Sequence, residues 1–83
     1  MTQHIDRRHE ILVRLKRIEG QLRGVQGMIE RNEGCEAVAQ QTAAARKALD
    51  KTFYQILSCA LEQAAHETPA EISRISELLV KYG

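Results

Sequence analysis

Eighty-three residues with a net charge of +1, 28% charged side chains, one Phe, two Tyr and no Trp describe one small domain, and no apolar run approaches the roughly 20 residues a membrane span needs. A chain of this size buries only about 60% of its unfolded surface as a monomer, and so few aromatics gain little per buried side chain, so self-association is the expected remedy. No nucleophile and base stand at a catalytic spacing and the chain is short for an enclosed pocket, which argues against an enzyme.

From Ile11 the apolar residues Ile11, Leu15, Ile18, Leu22, Val25 and Ile29 step alternately by four and three, the seam of a coiled-coil-like helix expected over about residues 4–31. Asn32, Glu33 and Gly34 then supply turn chemistry. A second helix is expected over about 36–65, with Val38, Thr42, Ala45, Leu49, Phe53, Ile56 and Ala60 on one face; its length of about 45 Å exceeds what a small monomer can cover. His66 to Thr68 form a connection, Pro69 suits the first turn of a third helix, and Ile72, Ile75, Leu79 and Tyr82 carry a stripe over 69–82. With no strand-like alternation, the expected fold class is all-α.

The small net charge is unevenly spread, since residues 1–31 hold seven Arg and Lys against four Asp and Glu. Arg7, Arg14, Arg17 and Gln21 fall within about 80° of one another on the first helix, beside the seam. Such an edge suits phosphates, which bind chiefly through charge and counterion release; the alternative is a solvated face with pairs to Glu10 and Glu19. Lys47 and Lys51 on the second helix could extend the same surface in an oligomer. Gly20, Gly24 and Gly27 cluster away from the seam, where each costs about 1 kcal/mol relative to Ala, and mark either the approach of another helix or DNA strand or simple tolerance at exposed positions.

The segments RLKRIEGQLRGVQGMIE, Cys35 after a turn, and QQTAAARKALDK on the second helix together resemble the CsoR/RcnR/FrmR family of small all-helical bacterial transcriptional repressors, which includes copper, nickel/cobalt, formaldehyde and persulfide sensors. The resemblance covers essentially the whole chain. It implies a three-helix protomer, an antiparallel four-helix-bundle dimer built from helices one and two, and a dimer-of-dimers homotetramer that binds operator double-stranded DNA and releases it when a small inducer reaches a thiol. By position it implies DNA-binding roles for Arg14 and Lys51, with Lys16, Arg17 and Gln21 in the same motif.

The sensing site departs from the family pattern. In the metal-sensing branches the cysteine matching Cys35 works with a His, and a Cys or His four residues later, on the second helix of the other protomer; those ligands align with Ala60 and Ala64, whose methyl groups offer no lone pair. The formaldehyde branch uses an N-terminal proline exposed by loss of Met1, where this chain has Thr2 with a primary amine. The persulfide branch's second cysteine also aligns with Ala64, and Cys59 is displaced from it by five residues.

The polar first ten residues hold no secretion signal, so the expected compartment is the cytoplasm, where the two cysteines should be reduced. Along one straight helix Cys35 and Cys59 stand roughly 36 Å apart, far beyond disulfide reach. Two antiparallel copies crossing near residue 47 would bring them together. Cys35, at a helix start, is the better nucleophile, while Cys59 is either a second thiol or a small buried hydrophobe. His4, His9 and His66 match no ligand position. The expectation is a repressor released by modification or ligation of Cys35 by sulfane sulfur, an oxidant or an electrophile, with no resident cofactor. The alternatives are a formaldehyde-responsive repressor and one responsive to Cu(I) or another transition metal such as Ni or Co, the latter with Cys35 and Cys59 as an altered ligand set.

Overall fold

A computed structural model describes residues 2–65 and 69–83, with side chains from residue 7 onward, as three helices: α1 (Thr2–Glu30), α2 (Cys35–Ala64) and α3 (Pro69–Tyr82). No strand occurs among the described residues. α1 starts two residues before the expected position and α2 is displaced by one residue at each end, within the usual uncertainty of helix boundaries.

The turn after α1 is built by Asn32, whose φ of 59° places it in the left-handed region that Asn tolerates better than most residues. Its N–H donates to the Ile29 carbonyl at 3.0 Å and the Glu33 N–H donates to the Met28 carbonyl at 3.0 Å, closing the helix with the paired bonds of a Schellman motif. The Arg31 guanidinium bonds Glu33 at 3.0 Å and folds over Gly27, where a Cβ would lie 3.0 Å from its terminal nitrogen. Gly34 then precedes α2 with no side-chain cap.

α1 and α2 lie antiparallel. Near the start of α1, Arg7 pairs with Glu62 at 3.0 Å and Gln55 Nε2 donates to Glu10 Oε1 at 3.5 Å. The seam of α1 divides between two environments. Ile11 and Ile18 are buried, Ile18 to 5% exposure, whereas Leu15, Leu22 and Ile29 remain exposed, Leu22 to 44%. A two-row heptad seam packed on a single neighbour leaves its second row uncovered.

On α2 the structure corrects the expected face. The stripe from Val38 to Ala60 does not pack as a unit: Ala45 is buried, but Leu49 is 48% exposed and Ile56 is exposed as well. The row against α1 runs instead through Ala45, Thr52 and Cys59, all buried. Thr52 enters this row because its hydroxyl donates to the Ala48 carbonyl at 2.9 Å, which satisfies the polar atom locally and leaves the methyl to pack. Small side chains there let the two helices approach closely. Leu57 and Ala64 are buried as well, and α3 packs on α2.

The result is a slab of 52 × 29 × 13 Å with a radius of gyration of 16.5 Å, against about 12 Å for a compact domain of this length. One layer of helices cannot cover both sides of itself. Ile18→Ala is expected to cost about 2–4 kcal/mol, measured as a lower urea midpoint at unchanged slope; a midpoint equal to the parent's would mean that Ile18 is not a core residue.

Candidate nucleic-acid interface and sensing site

The α1–α2 hairpin has two unlike sides. One is apolar: Leu12, Leu15, Leu22 and Leu49 line a shallow trough with Lys16, Ile18 and Glu19, and Leu12 and Ile56 continue into a cleft shared with Ile11, Cys59 and Ala60. The other is polar: Arg14, Arg17 and Gln21 line a cleft floored by Ile18, Ala48 and Thr52. Helix geometry produces this division. Arg14, Arg17 and Gln21 recur at three- and four-residue spacing, each one position before a member of the seam, which turns them to one flank of the contact with α2.

The carboxylates expected to neutralise this edge are engaged elsewhere. Glu10 accepts from Gln55, and Glu19 lies 4.0 Å from Arg23. Arg14, Lys16, Arg17, Lys47 and Lys51 are exposed and make no ion pair among the described residues. Lys47 and Lys51 each precede a residue of the polar cleft, Ala48 and Thr52, and at 100° per residue they sit on the side of α2 away from Leu49 and Ile56. Arg14, Arg17, Gln21, Lys47 and Lys51 are thereby brought to one side. Lys16 is separated from them, against the leucines of the opposite trough. A Cβ placed on Gly20 or Gly24 would meet no other helix among the described residues within 4 Å, so no described neighbour within the protomer accounts for them.

Cys35 is the first residue of α2 and exposed, while Cys59 is buried, and neither forms a disulfide. Cys59 turns toward α1, in the cleft lined by Ile11, Leu12, Ile56, Ala60 and Gln63 together with Arg8. A second helix reaching α2 from outside would meet Ala60, which is only half-buried, before the Cys59 sulfur, which belongs to a residue 6% exposed. The two thiols are not brought together within one chain. The side chain of Thr2 lies outside the described residues, as do those of His4 and His66; His9 is exposed.

The donors do not fit a family-type metal centre. No group of three His, Cys, Asp or Glu gathers as a metal site among the described residues. Ala60 and Ala64, the positions to which the family resemblance assigns the second and third ligands, carry no donor atom, and Ala64 is buried. Among the described residues a soft cation is left with Cys35 and a covered thiol. Leu12, which lies outside the seam spacing, was missed in the sequence as part of the apolar side; its signal is the run Leu12, Leu15 and Lys16 at helical spacing, ending in a snorkelling cation.

A family model described as metal-sensitive transcriptional repressor matches residues 7–81. The copper-sensing transcriptional repressor CsoR of Bacillus subtilis (strain 168) is 36% identical over 77 residues, covering 84% of this chain and 72% of that protein. No solved structure gives a significant match.

Proposed function

Because the chain belongs to the metal-sensitive transcriptional repressor family, whose members are repressors and not enzymes, we propose that it acts in the cytoplasm as a homo-oligomeric operator-binding repressor with Cys35 as its sensing residue. The observation that carries this reading is the segregation of the hairpin: cations without ion-pair partners among the described residues on one side and exposed leucines on the other. The apolar side suits a second copy, giving the antiparallel bundle dimer and, by pairing of dimers, a tetramer. The basic side then repeats across the assembly, and Arg14, Arg17, Gln21, Lys47 and Lys51 meet the phosphates of double-stranded DNA.

Release follows from linkage. A small reactive inducer that modifies Cys35, such as sulfane sulfur, an oxidant or an electrophile, shifts the equilibrium only if the modified thiol favours the conformation that fits DNA poorly. Cys35 is accessible for such chemistry in the protomer. A second reading, favoured by the copper-sensing relative, is metal ligation by Cys35 and the partner's Cys59. A third is a formaldehyde-derived methylene bridge between the Cys35 sulfur and the Thr2 amine once Met1 is removed, the aldehyde oxygen leaving as water.

Cys35→Ala is expected to bind operator DNA within about twofold of the parent and to lose release by the inducer. Fluorescence anisotropy of labelled operator, with polysulfide, peroxide or formaldehyde added in turn, measures both. Normal release from the variant removes Cys35 as the sensor. Stoichiometric Cu(I) binding under chelator competition, lost with Cys35 and accompanied by DNA release, selects the metal reading instead.

A further inference from the structure

The polar flank of the α1–α2 contact repeats with a heptad. Near the start of α1, Arg7 pairs with Glu62 of α2 at 3.0 Å. Seven residues on from Arg7 is Arg14, and seven back from Glu62 is Gln55. Seven residues are about two helical turns, so in this antiparallel pair Arg14 and Gln55 stand level, on the same flank as the Arg7–Glu62 pair. Arg14 also shares its cleft with Thr52, one turn from Gln55 along α2. The second heptad therefore sets an amide where the first sets a carboxylate.

The Gln55 amide is held at one end and unsatisfied at the other. Its Nε2 donates to Glu10 Oε1 at 3.5 Å, and since a carboxylate only accepts, the amide oxygen is turned away from Glu10. That oxygen is covered and meets no donor among the described residues, which is a costly state for a polar atom. Arg7, the cation one turn before Glu10, is engaged with Glu62. Arg14, one turn after Glu10, makes no ion pair among the described residues and offers five N–H donors.

We propose that Gln55 is a positioning residue for Arg14: its amide oxygen accepts a hydrogen bond from the Arg14 guanidinium and orients it toward the DNA phosphates, while Glu10 holds the amide in the orientation this requires. A carboxylate at the same place would hold the guanidinium too, but it would cancel the charge that phosphate has to meet. The neutral amide orients the cation and leaves its charge available. The planar guanidinium can give one N–H to Gln55 and still present others to a phosphate. This rests on the reading of Arg14 as a DNA contact and adds to it the residue that aims it.

The test compares operator affinity of the full-length parent, Gln55→Met, Arg14→Ala and the double variant by fluorescence anisotropy, with circular dichroism as the check on folding. Met keeps the length of the side chain and removes the amide. Gln55→Met is expected to weaken binding about fivefold when Arg14 is present and less than twofold when Arg14 is already Ala. An equal loss in both backgrounds, or none in either, overturns the positioning role, because lost stability or a water-satisfied amide acts without regard to Arg14. Gln55→Glu supplies a second arm. Its new carboxylate competes with phosphate for Arg14, so binding is expected to weaken about tenfold and the salt slope to flatten as it does for Arg14→Ala. Parent-like affinity and slope for Gln55→Glu overturn the proposal even where Gln55→Met does not fold. Weakened binding by Arg14→Ala with parent-like Gln55 variants overturns the positioning role alone, and parent-like binding by Arg14→Ala overturns the DNA reading of Arg14 as well.

Discussion

Leu49→Glu is expected to dissolve the assembly while leaving the protomer helical. In the isolated protomer Leu49 is 48% exposed, and Glu is nearly as good a helix former as Leu, so the substitution costs the single chain little. In a dimer formed through the trough of Leu12, Leu15, Leu22 and Leu49 the same position is enclosed by apolar side chains. Burying a carboxylate there without a partner costs several kcal/mol per protomer, and each dimer contains two copies. Since about 1.4 kcal/mol is a tenfold change in the equilibrium, self-association should fall by on the order of a thousandfold or more. Sedimentation velocity of the variant should show monomer with parent-like helicity, and operator affinity should fall with it because the basic edges no longer repeat in a fixed array. A variant that associates like the parent would place the leucines outside any interface.

Arg14→Ala is expected to lower operator affinity by on the order of tenfold to a hundredfold at 0.1 M salt without changing the oligomeric mass. Each protomer contributes one Arg14, so a symmetric assembly gives up several guanidinium groups at once, and the slope of log affinity against log salt should flatten by about 0.9 for each phosphate no longer neutralised. Arg14 is exposed beside Arg17 and Gln21 and makes no ion pair among the described residues, so its removal strands no buried carboxylate. Lys16→Ala is the internal control. Its side chain lies by the leucine trough, and its removal should leave the salt slope nearly unchanged. Parent-like binding by Arg14→Ala together with weakened binding by Lys16→Ala would assign DNA to the opposite side of the hairpin.

The recovery of these features from sequence depended on their range. Helices and their ends are set by near neighbours: the apolar steps from Ile11 to Ile29, the Asn32 turn and Pro69 are each readable within a few residues, and the three observed helices follow them. The grouping of Arg14, Arg17 and Gln21 was equally legible, because 3.6-residue periodicity places them on one flank whatever α1 packs against. Thr52 was hidden for the converse reason. A polar residue becomes core only when its hydroxyl finds a local acceptor and a neighbouring helix covers its methyl, and the second condition cannot be read from near neighbours in the sequence.

The sequence alone therefore determined an all-helical chain, a cationic flank and a thiol at the start of α2, since each rests on local propensity and helical spacing. Tertiary structure decided which surfaces are covered. It buried Ile18 while exposing Leu22, turned Cys59 into the α1–α2 contact and left Leu49 outside, and set Lys16 apart from the other cations. The hydrophobic effect rewards removal of apolar area from water without specifying the neighbour that removes it. Periodicity groups residues onto a face; only the packing of one helix against another selects the partner that covers that face.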